Sequence, residues 1–333
     1  MFFLFISNTD IARVPGLSAA GANAEILPYT SPADADVIRF GRPLSIDCFP
    51  MDPDGHPTPA LITRAAVKTA DIPLCIVRTG SVLPPSPPYV ELCSSPGGDP
   101  RTATSVGAAK KIFDDAASLA NSFTKARDRV MLAESIPGGT TTALLVLRAL
   151  GYDCMVSSAS NVNPTAMKES IWHDASVRLG IERGGLRNDP LRAISELGDP
   201  MQAAVLGFIT GSEKRTEIVL AGGTQMLAIA ACLRAMGNER EITVATTRYV
   251  VNDSTSSFSE LARLLGVDTY SAPLDFSGSP YKGLRDYEEG FVKEGVGAGG
   301  SVLYSSWHGV GADEVIAGTN GLYREIVEPF PPK

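Results

Sequence analysis

Two stretches of this chain repeat one local pattern, and that pattern restricts the fold more than any other feature. Arg129-Val-Met-Leu-Ala133 is a short apolar run, Glu134-Ser-Ile-Pro-Gly-Gly-Thr-Thr-Thr-Ala143 carries a glycine turn, and Ala143-Leu-Leu-Val-Leu-Arg-Ala-Leu150 is helix-like and stops at Gly151. Thr216-Glu-Ile-Val-Leu-Ala221, Gly222-Gly-Thr-Gln225 and the helix-like run 226–236 follow the same order. Short, continuously apolar strands that alternate with helices belong to a parallel sheet covered on both faces. Gly138 and Gly139 let the backbone turn tightly and approach a ligand. Thr140, Thr141 or Thr142 can cap the helix, whose free N–H groups form an anion site. Glu134 falls at a strand end, where open α/β sheets place their chemistry. A capped turn without a ligand has the same local signature. Two such turns with matching polarity favour the ligand-facing reading.

The rest of the chain extends the alternation. Strands are expected at 2–6, 74–77, 152–156, 241–246 and 267–270, and helices at 59–70, 105–128, 164–179, 199–209 and 258–265. The expected fold class is α/β, a doubly wound, Rossmann-like parallel sheet. Residues 14–21 read as a small-residue surface loop. Residues 22–58 are rich in Pro and Asp with little periodicity, which suggests a segment that wraps the domain or meets a partner. The chain therefore divides into an N-terminal wrapping segment, 1–57, and an α/β catalytic domain, 58–333, within one structural unit.

Composition excludes several function classes. A net charge of −8 over 333 residues argues against a nucleic-acid binder or an anionic-membrane binder, while leaving room for one local phosphate pocket. Cys48, Cys75, Cys93, Cys154 and Cys232 form no CxxC pair, which fits reduced thiols and a cytoplasmic location. Met1-Phe-Phe-Leu-Phe-Ile6 is too short to span a bilayer.

A third glycine turn, Phe291-Val-Lys-Glu-Gly-Val-Gly-Ala-Gly-Gly300, precedes an apolar helix expected from Ser301. Glu294 beside close-approach backbone is placed as a base, although a glutamate there can equally complement the helix dipole. No P-loop, GxGxxG, HExxH or GxSxG motif occurs. His56, His173 and His308 are scattered and read as structural, and no metal or cofactor is expected. Lys168 lies in the second turn of a helix and is either solvated or a contact for an anionic group. Arg78 and Arg101 follow the same logic. What remains is glycine turns for a phosphate and two carboxylates, a set suited to group transfer at a sugar carbon with one general base.

The ordered set of turns resembles the nicotinate-nucleotide–dimethylbenzimidazole phosphoribosyltransferase family. Glu134 to Ala143 resembles that family's Gly-Glu-Met-Gly-Ile-Gly-Asn-Thr-Thr-Ala stretch. Leu220-Ala-Gly-Gly-Thr-Gln225 resembles its Leu-Gly-Gly-Phe-Glu turn, and Lys293-Glu-Gly-Val-Gly-Ala298 its Gly-Glu-Gly-Ser-Gly-Ala turn. Asn8-Thr-Asp10, Pro15-Gly-Leu-Ser-Ala-Ala-Gly21 and Pro57-Thr-Pro-Ala-Leu-Ile-Thr63 look typical of an archaeal branch. The resemblance implies a smaller helical part beside the sheet, a homodimer, and phosphoribosyl transfer from nicotinate mononucleotide to 5,6-dimethylbenzimidazole, for the lower ligand of cobamides. It implies Glu294 as the catalytic base. It also implies Glu134, Gly138, Gly139, Thr140, Thr141, Lys168, Gly222, Gly223, Gly295 and Gly297 around the substrates. The bacterial Lys-Pro-Pro-Gly-Ser-Leu-Gly-like segment is absent, and Val77-Arg-Thr-Gly80 stands where an Asp-His-Gly-like turn is expected, so a related heterocycle can replace the acceptor. A non-catalytic nucleotide-binding protein and another α/β sugar-phosphate enzyme are the alternatives.

Overall fold

The computed structural model describes residues 1–21 and 23–329. Its strands are β1 (Phe2–Ile6), β2 (Leu74–Thr79), β3 (Tyr89–Cys93), β4 (Arg129–Ser135), β5 (Glu217–Ala221), β6 (Ile242–Thr247) and β7 (Asp268–Ala272). They form one seven-stranded sheet in the order β3-β2-β1-β4-β5-β6-β7, with every pairing parallel. The doubly wound α/β expectation is met.

The helices, in chain order, begin with α1 (Thr30–Phe40), α2 (Ala60–Thr69), α3 (Ala109–Thr124), α4 (Gly139–Leu150), α5 (Thr165–Leu179), α6 (Pro190–Leu197) and α7 (Pro200–Gly211). They continue with α8 (Thr224–Ala235), α9 (Arg248–Val251), α10 (Phe258–Leu265), α11 (Lys282–Arg285), α12 (Ala298–Trp307) and α13 (Ala312–Leu322). Alternate strand residues feed two separate cores. Phe3, Phe5, Leu132 and Leu220 pack under α3, α4, α7 and α8, whereas Phe2, Leu4, Met131 and Val219 pack under α1, α2, α12 and α13. Each strand thus reads as continuously apolar while its side chains alternate between the two faces.

Local chemistry fixes the element ends. Gly138 takes the left-handed φ of 83° before α4, and a Cβ there would lie 2.4 Å from Thr9 Oγ1. Gly151, at φ 106°, closes the same helix, as the sequence predicts. Asp199 caps α7 in a reciprocal capping box with Gln202, an arrangement worth about 1 kcal/mol.

Three expectations are corrected. Residues 152–156 form no strand: β4 already pairs with β1 on one side and β5 on the other, leaving no free edge there. That run is instead tied to Ser257, whose Oγ accepts from Met155 N at 3.0 Å and whose N–H donates to Met155 O at 2.8 Å. The aperiodic 22–58 region contains α1. Asp34 and Asp36 are buried in this helix and masked its period, because hydrogen bonds rather than apolar contacts satisfy them: Thr58 Oγ1 and Ser135 Oγ donate to Asp34, and Leu44 N and Ser45 N donate to Asp36. Helix α12 starts at Ala298 rather than Ser301, which brings two of the glycines into its first turn.

Candidate active site

Strand order reverses between β1 and β4, and chains of this architecture bind ligands outside the carboxyl ends of the strands at that point. A cavity lies there, over the ends of β4 and β5. Its wall brings together Glu134, Gly138, Gly139, Thr140, Gly223, Glu294 and Gly295 of the sequence-derived set. The first turns of α4 and α8 face it, supplying helix N-termini suited to an anion.

Glu294 reaches the cavity from the loop before α12. Its carboxylate accepts from Gly295 N at 3.1 Å, from Gly299 N at 3.2 Å and from Thr246 Oγ1 at 3.3 Å. Burial pushes its pKa up to about 7, and these donors hold it from going higher. It is therefore poised near neutrality, the range suited to a general base. The surrounding backbone is strained: Val292, Lys293 and Val296 have φ of 61°, 56° and 56°. Positive φ at a β-branched residue is a real outlier, and such outliers cluster at functional sites.

Glu134, at the end of β4, is 2% exposed, and its Oε1 has no hydrogen-bond partner among the described residues. Burial, then the negative charges of Glu294, Asp199 and Asp34, raise its pKa well above the usual carboxylate range. A carboxyl group with a raised folded-state pKa contributes stability below its unfolded value, and that contribution is lost as pH rises. Glu134→Gln is therefore expected to raise stability by roughly 0.5–2 kcal/mol at pH 8 and to leave it unchanged at pH 4. Thermal melts at the two pH values check this; equal shifts at both would show that ionisation is not the cause.

Asp34 joins the wall from α1, with its pKa pushed up to about 6 chiefly by burial. His56, expected to be structural, also lies on the wall. Its Nδ1 is 2.7 Å from Asp52 Oδ2, its Nε2 is 2.8 Å from Asp286 Oδ2, and its ring packs on Phe291 at 4.1 Å. Asp52, Asp54 and His56 lie close enough to share a metal ion, but both imidazole nitrogens already face carboxylates.

The remaining predicted residues stand behind this surface. Gly222 backs Glu134, and a Cβ there would lie 3.5 Å from Glu134 Oε1. Gly297 lies beneath the Glu294 turn against Ala133 and Phe2, and Thr141 is buried inside α4. Lys168 is fully buried and is not on the cavity wall. Its Nζ donates to Ser157 O and Asn163 Oδ1, each at 2.9 Å, and burial lowers its pKa to about 7. Arg78 pairs with Glu91, and Arg101 with Asp99, away from the cavity. Among the stretches of wall that escaped the motif reading are Leu17 to Gly21, read as a surface loop, and Pro57 to Pro59. Their signal was the branch-typical resemblance of both segments, which carries no local chemistry.

No family model matches the chain. It is 44% identical over 329 residues to a UPF0284 protein of Thermococcus kodakarensis, covering 98% of each chain. It is 43% identical to a UPF0284 protein of Pyrococcus furiosus, covering 98% of this chain and 99% of that one. A UPF0284 protein of Methanosarcina mazei is 41% identical, with 94% and 91% covered. Among solved structures, nicotinate-nucleotide–dimethylbenzimidazole phosphoribosyltransferase from Thermus thermophilus superposes with a TM-score of 0.61 at 14% identity, over 100% of this chain and 86% of that one. At that identity the likeness establishes a common fold, the one the three glycine turns imply. Among the described residues, no helix is long and apolar enough to cross a membrane.

Proposed function

The chain belongs to the UPF0284 family, and on that premise we propose that it is a phosphoribosyltransferase acting on nicotinate mononucleotide and 5,6-dimethylbenzimidazole or a related base. The observation that carries this reading is Glu294, held by the α12 N-terminus on a cavity ringed by three glycine turns at the switch point of the sheet. The fold it shares with the Thermus thermophilus enzyme supports the same reading.

Each residue then has a chemical task. Glu294 accepts the ring N–H proton of the acceptor base. The other ring nitrogen of that base forms a bond to C1′ of the ribose, on the face opposite the departing group. The C1′–N bond to nicotinate breaks, its electron pair neutralises the pyridinium nitrogen, and nicotinate leaves. The first turns of α4 and α8 hold the phosphate through backbone N–H groups. This role falls to backbone because the Lys and His side chains on the wall, Lys293 and His56, are already paired with Asp253, and with Asp52 and Asp286. The raised pKa values of Asp34 and Glu134 reduce the negative charge that would repel a phosphate.

Mixing the protein with nicotinate mononucleotide and a panel of benzimidazoles and purines tests the reading, with nicotinate followed by chromatography. Release that depends on an added base is expected. Ligand-induced stabilisation with no release for any base would reduce the protein to a nucleotide binder. With Glu294 ionising near 7, kcat/KM is expected to fall about tenfold per pH unit below that point and to level above it. A flat profile between pH 5 and about 8 would remove Glu294 from the base role.

A further inference from the structure

Beside Glu294, Lys293 occupies a conformation that costs free energy. Lys293 N donates to Phe291 O at 2.6 Å and Glu294 N to Val292 O at 2.7 Å, so two γ-turns of positive φ follow one another. Such turns are rare, and each strained residue costs on the order of 1–3 kcal/mol. The turn that this segment resembles has glycine at the Lys293 position, where positive φ carries no such cost. Lysine here must be held by its contacts.

Those contacts run to the 157–160 loop, whose Ser157, Ser158 and Ala159 line the cavity, and to Asp253 and Thr247. Lys293 Nζ, in a residue 6% exposed, donates to Ser158 O at 3.0 Å and Ser160 O at 3.1 Å, and lies 3.1 Å from Asp253 Oδ2. Val292 N donates to Ala159 O at 2.7 Å, and Thr247 Oγ1 donates to Lys293 O at 2.5 Å. From the opposite side, Lys168 grips Ser157 O and Asn163, while Ser157 Oγ donates to Asp253 Oδ2 at 2.6 Å. Lys293, with the Asp253 carboxylate it shares with Ser157, therefore ties this loop to the turn that carries Glu294, while Lys168 anchors the loop from its other side.

We propose that Lys293 is a positioning residue. Its tether to Ser158, Ser160 and Asp253 holds the 291–296 turn in its strained form and so sets the Glu294 carboxylate on the Gly299 N–H. The inference rests on the reading of Glu294 as the base, and it assigns to Lys293 no contact with substrate.

Lys293→Met removes the tether at one end, and Asp253→Asn weakens it without altering the turn. In both variants kcat is expected to fall roughly 10–100-fold, as for a base displaced by about 1 Å, while the dissociation constant of nicotinate mononucleotide stays within about threefold. Hydrogen exchange supplies a readout independent of substrate. Amides of 295–300, which include the Gly299 N–H bonded to Glu294, should exchange at least about tenfold faster, with strand 217–221 unchanged. The proposal is overturned if 295–300 keeps its protection or if kcat stays within about threefold of wild type. It is equally overturned if 217–221 loses protection in step with 295–300, the mark of a general loss of fold. A wild-type protein that releases no nicotinate sinks the transferase reading alone, and the exchange comparison then decides whether the tether holds Glu294.

Discussion

Glu294→Gln is expected to lower kcat by roughly 10²–10⁴-fold with little change in nicotinate mononucleotide affinity. Glutamine keeps the size of the side chain, and its carbonyl oxygen can still accept from the Gly295 and Gly299 N–H groups that hold the carboxylate now. What it cannot do is take a proton. The loss should therefore fall on the chemical step. It should also flatten the pH profile, because the group that titrates near 7 is gone. A parallel fall in kcat and affinity would mean that Glu294 holds substrate rather than activating it. The same variant should be more stable than wild type at pH 8 and no more stable at pH 4. A carboxyl group raised in the folded state loses its contribution between its unfolded value of 4.5 and about 7.

Gly299→Ala is expected to cost about 3 kcal/mol of stability and roughly 10²-fold in kcat. A Cβ at Gly299 would lie 2.1 Å from the carbonyl carbon of Thr246 and 2.6 Å from its Cα. These are backbone atoms of β6, so no rotamer change relieves the overlap, and α12 has to move off the sheet. The Gly299 N–H that anchors Glu294 moves with it. Gly321→Ala, in α13 with nothing within 4 Å of the added Cβ, is the matched control and should be neutral or slightly stabilising. Denaturant titration together with steady-state kinetics on both variants checks the contrast. Equal behaviour of the two would show that close packing of α12 on β6 is unimportant.

The sheet was legible because its strands are apolar on both faces and its turns use glycine where the backbone needs it. Phe2–Ile6, Glu217–Ala221 and the end of α4 at Gly151 followed directly from that rule, whereas α4 begins after Gly138 with no side-chain cap, which places Thr140, Thr141 and Thr142, the expected caps, inside the helix. What escaped had a different physical origin. Helix α1 buries Asp34 and Asp36 through hydrogen bonds, which hides its apolar period. Residues 152–156 have a strand's composition and no strand partner, a fact set by which edges other strands already occupy. In the cavity, the glycine turns and both glutamates were visible as motifs, and the structure draws Glu134 and Glu294 to one wall. The walls at Leu17 to Gly21 and Pro57 to Pro59 consist of small or apolar residues with no titratable group, and the Thr58 hydroxyl there is used on Asp34. Lys168 read as solvated or anion-binding from its helical position, yet its ammonium is spent on the loop that it supports.

If Glu294 is the base, it drives transfer of phosphoribose to a ring nitrogen of the acceptor. The most direct test is the stoichiometry and anomeric configuration of the product formed from nicotinate mononucleotide and 5,6-dimethylbenzimidazole, read by NMR for wild type and Glu294→Gln. One nicotinate released per α-configured ribosyl product is expected with the wild-type protein, and at most a trace of either with the variant. Nicotinate release without a ribosylated base, or equal product from both proteins, would contradict that role.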